Sequence, residues 1–307
     1  MKAALLPGRG VVKVAGDGAR NFLHGLLTVD MLTLSPGVGR FGALLTPQGK
    51  IVADFFVIEA PAAAGNGFLL DVPRALAATL IERLNLYKLR VKVLIEDLSD
   101  NLGVLAAWNG SPPGEARIAT EFGMSFADPR LPALGLRILI PPHRAATAAA
   151  DLGAALASPS DYDAHRIALG VPQGESDFKY GDAFPHETDM DQLGGVDFGK
   201  GCYIGQEVVS RMEHRGTART RAVPIRYDGA APGAGAPITA GERQVGTMGS
   251  AAAGRGVALL RLDRVAEAMA EGVALTAAGV AVQPIKPQWA QFSFPGEAAR
   301  GPAKAAE

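Results

Sequence analysis

Downstream of about Arg226 the chain changes texture in a way that leaves few folds open. The stretch DGAAPGAGAPITAGERQVGTMGS and the segments 257–261, 273–275 and 280–285 are short, apolar or alternating, and punctuated by Gly and Pro. That is the pattern of strands and turns, and it predicts a small all-β domain over residues 226–294. Upstream the pattern is mixed. Strand-like segments at 51–58, 68–72, 91–95 and 136–140 alternate with turn clusters, and residues 74–86 carry Leu76, Leu80 and Leu84 at helical spacing. Further helices are expected at 144–156 and at 162–169, the latter with Ser160 and Asp161 as cap candidates. The last residues, PGEAARGPAKAAE, read as a disordered tail.

Composition narrows the class. With 48% hydrophobic residues, 20% charged residues and a net charge of −1, the 307-residue chain is a globular protein long enough for two or three cores. One cysteine excludes an internal disulfide, and no run of eighteen or more apolar residues is available to span a bilayer. With a first segment, MKAALLPGRGVVKVAG, too brief for a signal peptide, these features give the expectation of a cytoplasmic protein without a membrane partner.

Several local patterns carry little. GVGRFG (37–42) has dinucleotide-type glycine spacing but neither follows a strand nor opens a helix, so it is read as a turn. The five histidines show no close pairing, and a single cysteine cannot complete a thiolate set, so no metal held by this chain alone is expected. HETDMD (186–191) reads as a solvated acidic loop. In YKLRVKV, Lys88, Arg90 and Lys92 alternate, which on a strand would form a cationic face, either simply solvated or a site for a polyanion. Without interleaved aromatics or a basic excess, nucleic acid is not expected as a partner.

The strongest local signal is KGCYIGQEVVSRMEHRG (200–216). It reads as a helix starting near Gly205, with Glu207 in the first turn, His214 and Arg215 in the last, Gly216 as its stop, and Glu207 and Arg211 paired four apart. Cys202 lies just ahead of that helix with Lys200 near in sequence, two features that favour a thiolate. A buried structural cysteine is the alternative, and the residues alone leave both open.

This segment closely resembles the signature of the YgfZ family, folate-binding proteins of iron–sulfur cluster assembly and repair related to the aminomethyltransferase T-protein of glycine cleavage. ARNFLHGLLTVD, ALLTPQGKIVADFFV, LYKLRVKV, ADPRLPALGLR and HRIALGVPQG resemble that family in the same order, over nearly the whole chain. The resemblance implies an α+β, three-domain clover-leaf of the aminomethyltransferase (T-protein) type. Residues 1–225 would form a folate-binding region of two interleaved α+β subdomains, and a small β-barrel would end the chain. It implies tetrahydrofolate in a central channel, with the Cys202 thiol facing it beside Lys200, and Asp30, Asp54, Glu187, Tyr203, Gln206, Glu207 and Arg211 as ligand-binding candidates. Iron–sulfur client or assembly proteins would be the partners.

Two departures from the transferase relatives bear on chemistry. Their adjacent acidic pair reads Ala53-Asp54 here, and their pterin-recognising glutamate reads Ala168. The expectation is therefore a folate-dependent maturation factor acting through Cys202 rather than an active aminomethyltransferase. A one-carbon transferase and a non-catalytic folate-binding scaffold are the competing readings.

Overall fold

The computed structural model describes residues 1–61, 65–110, 123–216 and 218–296. Consecutive strands β1 (Lys2–Leu5) and β2 (Arg9–Ala15) enter two different sheets. The chain then runs through α1 (Ala19–His24), β3 (Arg40–Leu45), β4 (Ile51–Glu59), β5 (Phe68–Pro73), α2 (Ala77–Lys88) and β6 (Leu94–Asp97). These strands form an antiparallel sheet in the order β3-β4-β5-β2-β6. Next come β7 (Gly103–Trp108), β8 (Met124–Ala127), β9 (Leu136–Ile140), α3 (Ala145–Asp151) and β10 (Ala155–Leu156). They join β1 in the order β10-β1-β7-β9-β8. After α4 (Pro159–Ala168) and α5 (Gln206–Arg215) the chain closes a six-stranded barrel from β11 (Thr220–Tyr227), β12 (Pro237–Ala240), β13 (Arg243–Ala252), β14 (Arg255–Arg261), β15 (Leu275–Ala277) and β16 (Val280–Pro284). The helix α6 (Leu262–Ala270) is inserted between β14 and β15.

The near-continuous apolar run of β4 is explained by burial on both faces. Ala53, Phe55 and Val57 point into the core beneath α1 and α2, whereas Phe56 and Ile58 point into a second core shared with Val104, Leu139 and Phe126 of the other sheet. In α2, Leu80 and Leu84 are fully buried, as their spacing predicts. The sheet-to-sheet core also holds charge. Asp71 on β5, with no exposed surface, accepts from Arg9 Nε at 2.6 Å and from Arg137 Nε at 2.7 Å.

Several expectations change. The helix expected over 144–156 ends at Asp151, and Ala155 and Leu156 instead pair in parallel with β1. The α4 cap is Ser158, whose hydroxyl takes the Asp161 N–H while the Asp161 side chain takes the Ser158 N–H, a capping box offset from the expected start. The barrel begins at Thr220, ahead of the expected 226 boundary, and it contains α6, a helix where only strands were expected. Val265 and Ala268 on α6 are buried in the barrel core, a stripe too short to reveal its period in an alanine-rich stretch. YKLRVKV is not a strand. Lys88 ends α2, residues 89–93 form a turn and a short extended link, and the three cations share no strand face. Most of the expected tail, from 297 on, lies outside the described residues.

Candidate functional site

Two features stand out: the surface carrying Cys202 and a separate cavity around Asp54.

The segment before α5 is fastened at many points. Thr28 Oγ1 donates to Gly195 O at 2.7 Å and accepts from Ala43 N, and Asp197 N donates to Thr28 O. The Asp197 carboxylate then takes the N–H groups of Gly199 and Lys200. Gly205, at φ 82°, begins α5 against the Thr46–Gly49 turn, where a β-carbon would stand 2.6 Å from Thr46 O, so only glycine fits. The helix ends at Gly216 with φ 56°, and Arg211 Nη2 bonds Glu207 Oε1 at 2.6 Å, both as the sequence predicts.

Within this frame Cys202 is exposed. Its neighbours Lys200 and Tyr203 are buried, 8% and 7% exposed, so the thiol is displayed between two internal anchors. The buried structural cysteine is thereby set aside. The Lys200 side chain is anchored inward, while remaining near enough to Cys202 for the two groups to interact electrostatically. Its ammonium donates to the carbonyls of His24 and Leu27 at the end of α1 and lies 5.0 Å from the Tyr203 ring centroid. Burial lowers its pKa from 10.5 to about 8, against the opposing pull of Asp30, Asp197 and Cys202. Burial, then Asp197, pushes the Tyr203 phenol up to about 12, and its hydroxyl has no hydrogen-bond partner among the described residues.

The lysine shift has a measurable consequence. Between pH 8 and 10.5 the unfolded lysine holds a proton that the folded one releases, so the cost of the buried charge, largest below pH 8, is relieved as pH rises. Relative to Lys200→Met, the wild type is expected to gain stability across that window, by no more than about 3 kcal/mol. Urea unfolding of both proteins from pH 7 to 10.5 measures this, and a difference independent of pH refutes the depressed lysine.

The other candidates separate. Asp30 accepts from Leu32 N and Thr33 Oγ1, closing a local turn, and His24 Nδ1 stands 3.0 Å away, though off the direction of a good hydrogen bond. Although burial opposes the shift, those hydrogen bonds hold the Asp30 carboxyl below its ordinary range. Gln206 Oε1 accepts from Tyr203 N at 3.3 Å, and the Glu207 and Arg211 side chains lie on the outer surface, 84% and 54% exposed. Glu187 accepts from Phe184 N and lines a cavity of about 300 Å³ against the barrel, shared with Lys179 and Arg264.

Asp54 alone of these lines the cavity of about 370 Å³ between the sheets and α4, with Phe41, Phe56, Arg130, Arg137 and Gln173. Tyr180 Oη donates to Asp54 Oδ1 at 2.7 Å. The guanidinium carbons of Arg137 and Arg130 stand 4.1 and 4.7 Å from the Phe56 ring centroid. No residue from 197 to 211 lines this cavity, so it does not bring Asp54 together with Cys202, Tyr203, Gln206, Glu207 and Arg211. The alternation of β4 also corrects the reading of Ala53, which points into the core beneath α1. Its lack of a carboxylate takes nothing from the cavity. Ala168 is exposed at the last residue of α4. Sequence reasoning did not single out Arg9, Arg130, Arg137, Phe56 and Tyr180, because only sheet stacking brings them together.

HETDMD is not a solvated loop. His186, Thr188 and Asp189 are buried, and Arg221 bonds the His186 carbonyl, Asp189 and Asp191. Burial, against the nearby Arg221, keeps the Asp189 carboxyl well above its ordinary range. His186, Asp191 and Glu213 bring ligand-type atoms within 4.8 Å of one another. Their donors are engaged, however: Asp191 by Arg221 and Gln192, and His186 Nε2 by Glu213 at 3.0 Å.

Comparisons with known proteins agree with this architecture. Residues 219–292 match the family model described as CAF17, C-terminal beta-barrel domain. The glycine cleavage system aminomethyltransferase T from Bartonella henselae superposes with a TM-score of 0.70 over 95% of this chain and 87% of that one, at 16% identity, so the T-protein fold is shared. Human iron–sulfur cluster assembly factor IBA57, mitochondrial, is 32% identical over 280 residues, covering 85% of this chain and 77% of the human one. The IBA57 homologues of Mycosarcoma maydis and Pyricularia oryzae are each 34% identical, covering 74% and 73% of this chain. The chain spans 57% of the length of each of these two fungal relatives. All three are named mitochondrial, which overturns the cytoplasmic expectation. One cysteine excludes an internal disulfide but identifies no compartment. The YgfZ resemblance is likewise narrowed, since the relatives are IBA57 factors rather than the bacterial YgfZ itself. By sequence over most of its length, the chain belongs to the IBA57 family of iron–sulfur cluster assembly factors.

Proposed function

We propose that this protein supports the assembly or repair of iron–sulfur proteins by presenting the Cys202 thiol to a partner, and that it binds a tetrahydrofolate in the cavity around Asp54. The observation that carries the first part is an exposed thiol held between two buried anchors, in a chain whose relatives are named iron–sulfur cluster assembly factors. A cluster takes four ligands, normally thiolates, and this chain has one cysteine. Any cluster it handles is cargo shared with an assembly or client protein that supplies the remaining ligands. As a thiolate, Cys202 is competent to ligate iron or to exchange with a partner's disulfide. Complementing a deletion strain with wild type and scoring iron–sulfur enzyme activities tests this role.

The Asp54 cavity fits a pterin. Its volume falls within the range of small-ligand sites. Phe41 and Phe56 line it with the Arg130 and Arg137 guanidiniums stacked over the Phe56 ring, planar groups on which a ring can stack, and the buried Asp54 carboxylate is an acceptor suited to adjacent ring N–H donors. Bound there, a tetrahydrofolate supplies ring nitrogens that carry one-carbon units. The chain's own part is to stack the ring and to orient its polar edge.

The retained Asp54 and the shared T-protein fold favour one second reading, an aminomethyl transferase. Against it, the Tyr180 hydroxyl already occupies Asp54 Oδ1, so that oxygen is engaged by the protein itself. The expected result is tetrahydrofolate binding by calorimetry, weakened roughly ten-fold or more by Asp54→Asn through a lost charge-assisted bond. No aminomethyl transfer is expected with a lipoyl-carrier substrate. Undiminished affinity in Asp54→Asn removes this cavity as the folate site, and measurable transfer reinstates the transferase.

A further inference from the structure

Four of the ten large apolar side chains exposed among the described residues fall within nine positions: Leu86, Leu89, Val91 and Leu94, at 65%, 90%, 36% and 55% exposure. They lie at the end of α2, along the link that follows and at the start of β6, interleaved with Lys88, Arg90 and Lys92. Those three cations make no ion pair among the described residues, and Glu96 and Asp97 lie farther along β6. The projection is held firmly: Val91 N donates to Lys88 O at 2.7 Å, and Val93 is buried. At its tip Leu89 adopts φ 39°, ψ −102°, a conformation that leucine rarely takes and that keeps its side chain outward.

We infer that this projection seats on an anionic lipid surface. The chemistry separates that partner from an acidic protein. Protein interfaces draw most of their binding from aromatic and arginine anchors that fill shaped pockets, with Leu and Val under-represented. The projection has exposed aliphatic residues without an exposed aromatic, and the concavity beside it is a shallow one formed by the link itself with Ala15 and Gly16. A bilayer needs no shape complementarity. It takes aliphatic tips below the headgroups and places flanking cations among the phosphates. No helix of the described residues is long and apolar enough to cross a membrane, and surface seating requires none.

The test is co-sedimentation of the full chain with vesicles of phosphatidylcholine alone or mixed with phosphatidylglycerol. Binding is expected only to the mixed vesicles and is expected to fall with salt. Serine at Lys88, Arg90 or Lys92 is expected to lower partitioning roughly five-fold each, the factor for about 1 kcal/mol per cation. Leu89→Glu is expected to lower it more than about ten-fold, from the roughly 1.5–3 kcal/mol of burying a leucine. Leu89→Gly, which relieves the positive φ, is expected to bind vesicles less while unfolding at a higher temperature, so lost binding is not lost folding. No sedimentation with the mixed vesicles, or sedimentation indifferent to Leu89→Glu, overturns the inference. Binding to poly-glutamate without binding to vesicles overturns it in favour of an acidic protein partner.

Discussion

Cys202→Ser is expected to abolish support of iron–sulfur enzymes in a deletion strain while leaving folate affinity within about three-fold and the melting curve unchanged. Serine keeps the size and polarity of the side chain but forms no thiolate near neutral pH and ligates iron poorly. The side chain is exposed and makes no core contact, and the neighbouring anchors, Lys200 on the α1 carbonyls and Tyr203 in the sheet-to-sheet core, are untouched. The thiol also lies outside the Asp54 cavity, so the substitution separates the two halves of the proposed function. Strains carrying Cys202→Ser and Asp54→Asn separately, scored for aconitase-type activity and for folate binding, distinguish them. Full complementation by Cys202→Ser means that sulfur chemistry is not the purpose of this segment, and the protein is then better read as a folate-binding scaffold.

Asp71→Ala is expected to cost about 3–5 kcal/mol of stability, the range for removing one member of a buried ion pair. Asp71 is fully buried and joins Arg9 and Arg137 across the interface of the two sheets. Its loss leaves the two guanidiniums without their shared carboxylate; Asp128, 3.6 Å from Arg137, still offsets that one. Both arginines line the Asp54 cavity, so folate affinity is expected to fall together with stability. Urea denaturation with paired calorimetry measures both. Lys2→Ala, which breaks a 3.9 Å pair between side chains about half exposed, is the matched control and is expected to change stability by less than about 1 kcal/mol. Equal losses in the two variants refute the reading of Asp71 as the keystone of this interface.

Where local physics decides the structure, the sequence is a sufficient guide. The α5 helix carries its own start, charge order and stop, and each was legible because dipole, pairing and glycine effects act within a turn or two. The strands at 51–58 and 136–140 and the buried Leu80 and Leu84 were legible for the same reason. The barrel was legible as strands and turns, but α6 was missed, since two buried positions in nine residues do not declare a period.

The site was a different matter. Lys200 and Cys202 are two residues apart, yet one ammonium turns inward to the end of α1 while the thiol faces solvent; only the packing of α1 against this segment decides that. HETDMD looks solvated by composition, and Arg221, some thirty residues on, makes it a buried ionic cluster. The Asp54 cavity joins Arg9, Asp54, Arg137 and Gln173, and no local pattern can mark residues so far apart. By itself the sequence determined much of the local helix and strand, though not α6 or the link after α2, and that one thiol sits ahead of a helix. Which side chains share a cavity, and which charges are buried, was decided by two sheets stacking face to face, because burial and ion pairing depend on distance in space rather than along the chain.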